Sequence, residues 1–319
     1  MTLQPTLKPC EILTYTTADG WRAPIRRYRG TGPPVLLVHG MGANHYNWDF
    51  REEVSLAHHL HQQGWDVYVP VLRGDPGSEH ADVGAEGRFD FDDHAEFDMP
   101  AIVAEVLKTA RAEQLYWVGH SMGGMLLYTA LAEYPERIAA GVAICSPSGF
   151  EHPNFQHRAL GAIGWLLGGE GLFRRGPLMK WGLMLGKNSP VVRRISNPEN
   201  LDMEMAYGIV EHALVDLSWP MAKQAALWVN QRAVTRRDGT PWLRSSDVPM
   251  LVMGAPLDLV APEPDVRATA ERFTNVQYRE LSVRDGFSTD YAHVDPLLGT
   301  RAKGEVYPVI SDWLAAEAS

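Results

Sequence analysis

Cysteine is scarce in this chain: Cys10 and Cys145 are the only two in 319 residues. Two thiols so far apart supply no disulfide framework of the kind small secreted domains use, and both are expected to be free. Basic residues are in the minority, 29 Lys and Arg against 39 Asp and Glu, which leaves a net charge of -10. A surface of that sign repels a phosphate backbone, so no nucleic-acid partner is expected. The opening "MTLQPTLKPCEILTYTT" has neither the basic stretch nor the apolar run of a secretory signal, from which a cytoplasmic location is expected. The most apolar later segment, "ALGAIGWLLGGEGLFRRGPLMKWGLMLG", is interrupted by Glu170, Arg174, Arg175 and Lys180. It falls short of the roughly 18–20 apolar residues that a spanning helix needs, so no transmembrane segment is expected. Also missing are H-E-x-x-H, a cysteine pair and carboxylates at metal-ligand spacing, and G-x-G-x-x-G is absent after the glycine-flanked "GPPVLLVHGMG". Neither a metal, nor a dinucleotide, nor another cofactor is implied.

What the chain does contain is alternation. "EILTYTT", "PIRRYR", "PVLLVHG", "WDVYVPVLRG", "QLYWVGH" and "AAGVAICSPSG" have the composition of strands. Amphipathic stretches lie between them. "SLAHHLHQQG" carries a Leu56, Ala57, Leu60 face, and "DMPAIVAEVLKTARAE" opens with Asp98 and an early Pro100, as a helix start does. Because "PVLLVHG" and "LYWVG" are continuously apolar rather than alternating, these strands are expected to be covered on both faces, as in a mostly parallel α/β sheet flanked by helices. From Pro147 to about Ser246 the pattern changes to Trp-, Leu- and Met-rich segments broken by Gly and Pro, with no convincing strand. Strand character resumes at "VPMLVMGAPLD" and "VQYRELSV", and the chain closes on the helical "KGEVYPVISDWLAAEA". Strands on both sides of that interruption predict one core domain, residues 1–146 and 247–319, carrying an inserted helical cap over residues 147–246.

The chemistry concentrates in "YWVGHSMGG". Here Gly119, His120, Ser121, Met122 and Gly123 form G-x-S-x-G between an apolar strand and the helical "MLLYTALAEY". A serine on so sharp a strand-to-helix turn is held in a strained conformation, with small neighbours that let adjacent backbone approach. The turn lifts the hydroxyl clear of the sheet, beside the N-terminus of the new helix.

On these residues the chain resembles the α/β-hydrolase family over nearly its whole length outside the insertion. "VLLVHGMG" is similar to that family's strand and oxyanion loop, and the resemblance implies that the backbone N–H groups of Met41 and Met122 stabilise an oxyanion. "SLAHHLHQQGWDVYVPVLRG" and "FDDHAEFDMPAIVAEVLK" ahead of the elbow resemble the acid-lipase and polyhydroxyalkanoate-synthase-like branches. The nucleophile in those synthases is usually cysteine, and the dehalogenases and soluble epoxide hydrolases of this fold use aspartate, so Ser121 favours ester hydrolysis. The family order of serine, acid and histidine implies Asp258, in the loop after "VPMLVMG", as the acid and His293, in "DYAHVDPLLG", as the base. Glu151 is the alternative acid, because some members carry it one strand earlier.

The remaining histidines read as structural. His39 orders its loop, His58, His59 and His61 lie on a solvated helix face, and His45, His152 and His157 are surface groups near an entrance. His120 is accounted for by packing. The apolar insertion suits a wall around an acyl chain, although most of its side chains, Trp165, Trp181, Trp219, Trp228 and Trp242 included, are expected to pack on one another. The implied enzyme is a carboxylic ester hydrolase acting on a small-molecule or lipid-like ester. Acyltransferase or thioesterase chemistry on the same residues stays open, as do a cofactor-free perhydrolase or lyase, a non-catalytic binding protein, peripheral contact with a membrane and the oligomeric state.

Overall fold

A computed structural model describes residues 2–166 and 170–319. Among these residues ten strands are formed: β1 Glu11–Thr16, β2 Arg22–Tyr28, β3 Pro34–Val38, β4 Asp66–Pro70, β5 Leu115–His120, β6 Ile138–Ile144, β7 Leu172–Phe173, β8 Leu217–Ser218, β9 Met250–Gly254 and β10 Val276–Glu280. Eight of them make one sheet in the order β1-β2-β4-β3-β5-β6-β9-β10. The β1/β2 and β2/β4 pairs are antiparallel and every other neighbour is parallel. Each stretch read as a strand in the sequence outside the insertion is therefore a strand of this sheet. β3, β4, β5 and β9 are buried at every position, as continuous apolar runs require when helices cover both faces. β1 and β10 lie at the edges and alternate between buried and exposed positions or stay half-buried. Since β3, β5, β6, β9 and β10 all point the same way, the loops that follow them leave from one edge of the sheet, the edge at which open α/β sheets bind ligands.

Helices fill the connections. Leu56–Gln62 buries Leu56, Ala57 and Leu60 as its spacing predicts, and Ser55 caps it by accepting the His58 N–H at 2.9 Å. Asp98 directly precedes the α-helix Met99–Ala110, with Pro100 in its first turn as expected, but its side chain does not cap that helix. Helical backbone already begins at Phe91, where Asp90 and Asp93 form a capping box, and passes through a π-helical turn, His94–Asp98, before the helix Met99–Ala110. The wider turn sits just before Pro100, whose missing N–H removes one rung of an α-helical ladder. Asp98 is instead a buried carboxylate bound by Arg73 and by His94 at 2.7 Å.

Between β6 and β9 the chain forms the helices Phe155–Leu166, Gly176–Met184, Met203–His212 and Trp219–Gln231. It also forms the antiparallel ribbon β7/β8, where the sequence pattern suggested helices alone; two-residue strands are too short to carry a periodic signal. The side chains of this segment divide between the main core and a cluster of their own. Met221, Trp228, Val234 and Trp242 join the main core, with Trp228 against Phe91, whereas Leu183, Val192 and Ala206 make a small cluster of their own. Trp181 is exposed. The side chain of Trp165 lies outside the described residues. Among the described residues no helix is long and apolar enough to cross a membrane.

Candidate active site

Ser121 occupies the turn between β5 and the helix Met122–Glu133 with φ 53° and ψ -118°. A non-glycine residue in that region stores about 1–3 kcal/mol of strain and persists only where its surroundings hold it. Its own N–H donates to Ile144 O at 2.8 Å, and its carbonyl accepts from Gly124 and Met125. The glycines explain the rest. A Cβ on Gly123 would lie 1.9 Å from Val38 O, and one on Gly119 would lie 2.3 Å from the Gly123 backbone, so the turn closes only without side chains there. Cys145, on the neighbouring loop after β6, shares the positive φ at 52°.

Three loops converge on this hydroxyl. His293 Nε2 stands 3.1 Å from Ser121 Oγ, and His293 Nδ1 stands 2.7 Å from Asp258 Oδ2. The other oxygen of Asp258 accepts the N–H groups of Val260 and Ala261 at 2.7 and 2.8 Å, which locks the carboxylate in the loop after β9. With an acceptor at Nδ1, the imidazole carries its proton there and offers a lone pair at Nε2 to the serine O–H. Asp258 and His293 are both buried, and Ser121 is half-buried. Glu151 is not part of this arrangement: it pairs with Arg272 at the surface, 3.3 Å away. Met41 and Met122 follow β3 and β5 on the same edge, and neither backbone N–H has a hydrogen-bond partner among the described residues. The Met122 group is a first-turn helical donor, which ordinarily lacks an intrahelical acceptor. Gly40 brings the two loops together, because a Cβ there would lie 3.1 Å from Ser121 Cβ.

Cys145, Asp258 and His293 place possible ligand atoms within 4.8 Å of one another. Burial and the charge of Asp258 push the thiol of Cys145 well above its ordinary range, so it stays protonated, and Asp258 is already engaged by His293. The cluster reads as the surroundings of one hydrogen-bonded chain and does not have the free donors of a metal centre.

Several histidines do more than their sequence context suggested. Burial, the neighbouring His293 and, to a lesser extent, His39 lower His120 to about 3, so it is neutral near pH 7. Its Nε2–H donates to His293 O at 2.8 Å, and its Nδ1 accepts from Asn47 Nδ2 at 3.2 Å. A residue that looked like elbow packing thus holds the backbone of His293. His45 and His157 are buried rather than superficial, bound to Asp49 at 2.8 Å and to Val260 O at 2.9 Å. His59 is half-buried against Tyr307 and Ser311 of the last helix, Ala302–Glu317, and not on a freely solvated face. His39 is a loop-ordering group, with Nδ1 3.0 Å from Gly40 O; its Nε2 is 2.9 Å from Asp75 but off the line of a hydrogen bond.

The segment between β6 and β9 reaches both halves of the site. Val215 N–H donates to Gly42 O, Asn44 N–H donates to Ala213 O, and Ala43 forms a β-bridge with Leu214, beside the Met41 loop. On the other side Asp295, two residues after His293, accepts Ser196 Oγ–H at 2.5 Å and the N–H groups of Asn197 and Ala292 at 2.7 and 2.9 Å. Burial raises its carboxyl to about 6, against the pull of those three donors. Replacing Asp295 by alanine would orphan two buried N–H groups, at about 1–3 kcal/mol each. The expected outcome for Asp295→Ala is a lower denaturant midpoint together with a reduced kcat, whereas Asp295→Asn, which keeps an acceptor, recovers most of both. An alanine variant with the parental midpoint would remove this clasp from consideration.

A cavity of about 20 Å³, lined by His39, Met41, Met122, Val215 and Met221 among others, lies beside the two unpaired N–H groups and has room for about one water. A wider cleft of about 620 Å³ between β6 and β9, lined by Pro153, Arg158 and Asn230 among others, contains none of the three converging residues.

Residues 33–169 match the family described as alpha/beta hydrolase fold. The chain has the α/β-hydrolase fold and resembles the acid lipases. It is 26% identical to human Lipase member K over 94% of this chain and 86% of that protein. It is 30% identical to human lysosomal acid lipase/cholesteryl ester hydrolase over 40% of this chain, a match that spans only 36% of that protein. Among solved structures, a thermophilic esterase from Thermogutta terrifontis superposes with a TM-score of 0.63 at 20% identity, covering 97% of this chain and all of the other, which supports the fold.

Proposed function

We propose that this α/β hydrolase is a serine hydrolase that cleaves carboxylic esters with an apolar acyl or alcohol part through an acyl-enzyme. Ester hydrolysis as the class draws on the lipase and esterase relatives. The mechanism draws on one observation, the unbroken chain of hydrogen bonds from the Ser121 hydroxyl through the His293 imidazole to the Asp258 carboxylate. In this reading His293 Nε2 removes the serine proton as Oγ attacks the ester carbonyl. The imidazolium that forms is stabilised by Asp258, which keeps its own charge. The carbonyl oxygen gains negative charge only as the tetrahedral intermediate forms, where the free Met41 and Met122 N–H groups would donate to it. Collapse breaks the bond to the alkoxy oxygen, which leaves with the proton from His293. Water, deprotonated by the same imidazole, then attacks the acyl-serine, and Ser121 recovers its proton as the acid departs.

Residues 147–246 act in this proposal as a cap over the site. Only the entry of the second nucleophile separates this reading from an acyltransferase or thioesterase, and nothing in the chain favours either. The test is a panel of p-nitrophenyl esters of increasing chain length, with the protein trapped during turnover and analysed by mass spectrometry. Release of p-nitrophenol together with an acyl mass on the peptide that carries Ser121 is the expected outcome. Turnover with the label elsewhere, or no turnover on any ester, would refute it.

A further inference from the structure

Two arginines of the inserted segment stand out once their partners are followed. Arg175, just before the helix Gly176–Met184, donates from Nη2 to Gly42 O at 2.5 Å and to Val215 O at 3.1 Å, while its buried Nε has no partner. Its guanidinium lies directly on the oxyanion loop, since a Cβ on Gly42 would fall 1.6 Å from Nη2. The guanidinium of Arg194 has neither a hydrogen bond nor an ion pair with any described residue, while its backbone N–H donates to Val192 O. Arg194 directly precedes Ile195, whose carbonyl accepts the N–H of Val294, the neighbour of His293. Arg175 therefore lies on the loop that carries Met41, and Arg194 sits one residue before the backbone bond to Val294; the charge of Arg194 acts on Arg175 and His157, and that of Asp258 acts on Arg194. Asp216 is the opposing charge that acts on Arg175, but it makes no ion-pair contact with it. Partial burial lowers the pKa of both groups, Arg175 to about 10, so each half-buried guanidinium retains its charge near neutrality with no carboxylate in ion-pair contact among the described residues.

Partly withdrawing a guanidinium from water without a counter-ion is unfavourable. Most other arginines around this sheet avoid that cost: Arg26, Arg27 and Arg73 each bind a carboxylate within 3.0 Å. Arg175 and Arg194 have no carboxylate partner among the described residues, one on the loop of Met41 and the other next to the residue bonded to Val294, on the segment that faces substrate in the proposed reading. An anion supplied from outside would complete both.

We infer that Arg175 and Arg194 form a subsite for an anionic group on the ester substrate, a carboxylate or a phosphate, held over the Ser121 site. The inference rests on the ester-hydrolase reading and narrows it: the preferred substrate joins its ester to a charged end, and a wholly neutral lipid is the poorer one. The guanidinium fork suits either anion, because both present paired oxygens to parallel N–H donors.

The test compares kcat/KM for matched esters with and without the charge. One arm sets p-nitrophenyl hydrogen glutarate against p-nitrophenyl valerate, and the other sets butyryl glycerol phosphate against butyryl glycerol. A hydrogen bond to a charged group is worth about 1.5–3 kcal/mol, so the parent is expected to prefer the charged member of at least one pair by about 10- to 100-fold. The arm that shows the preference identifies the anion. In Arg194→Gln and Arg175→Gln that ratio is expected to fall toward one, with Arg194→Lys keeping part of it. Binding is read separately from turnover: free glutarate or glycerol phosphate should raise the melting temperature of the parent and leave that of Arg194→Gln unmoved. The subsite is overturned if neither pair favours the charged ester, or if the preference survives both glutamine substitutions. Failure to hydrolyse all four esters would instead count against the ester-hydrolase reading, and the melting experiment would still report on the anion.

Discussion

Ser121→Ala is expected to lower kcat on a p-nitrophenyl ester by about 10⁴- to 10⁶-fold, the range found when the nucleophile of such a hydrogen-bonded set is removed. The substitution deletes a single oxygen. The variant side chain would keep the Cβ that meets Gly40, and the backbone contacts to Ile144 O and from Gly124 and Met125 involve no side chain. The fold should therefore survive, and the melting temperature should stay level or rise, because a reactive hydroxyl in a strained turn adds nothing to stability. What disappears is the acyl-enzyme: water would have to attack the bound ester directly, assisted only by the N–H donors and by His293. Steady-state rates on parent and variant, alongside labelling by a fluorophosphonate, measure the effect. A variant that keeps more than about a tenth of the parental rate would place the chemistry elsewhere in the molecule.

Asp258→Asn should cost about 10⁴-fold in kcat near neutral pH with little change in stability. The amide oxygen can keep the two loop bonds from Val260 and Ala261, which leaves its NH₂ facing His293 Nδ1. That nitrogen must then become an acceptor, so the ring proton moves to Nε2 and points at Ser121 Oγ. The base is present but in the wrong tautomer. A pH profile of kcat for both proteins, with melting temperatures, separates this from unfolding. Should Asp258→Asn keep full activity, the carboxylate would be only a loop brace. Glu151 is no substitute, because it faces solvent beside Arg272.

Much of this candidate site is legible in the sequence. Ser121 was marked by a G-x-S-x-G between an apolar strand and a helix, a strictly local pattern, and each glycine there meets backbone that a side chain would displace. The strands were legible for a similar reason: β3, β5 and β9 are short apolar runs bounded by loop residues, and burial on both faces requires no alternation. Asp258 and His293 could be selected because each follows its own strand in the family order, although nothing local distinguishes them from other loop residues.

Other parts were silent in the sequence. Asp98 carries the signature of a helix start, yet Arg73 and His94 make it a buried counter-ion in the middle of a longer helical run. His120 and Asp295 sit beside the elbow and the base without any pattern that reveals their task, which depends on Asn47, Ser196 and Asn197, partners 73 to 99 residues away. The ribbon between residues 172 and 218 and the bridge from Ala43 to Leu214 likewise join distant segments.

By itself, then, the order of residues decided what local physics can decide: where apolar runs become buried strands, where a turn must be glycine-lined, and which serine such a turn presents. Only the tertiary structure decided which imidazole meets that serine, which carboxylate meets the imidazole, and that Arg175 and Arg194 end without an ion-pair partner among the described residues. Hydrophobic burial acts on each segment through its own composition, whereas hydrogen bonds and ion pairs between segments depend on directions and distances that exist only after the chain has closed on itself.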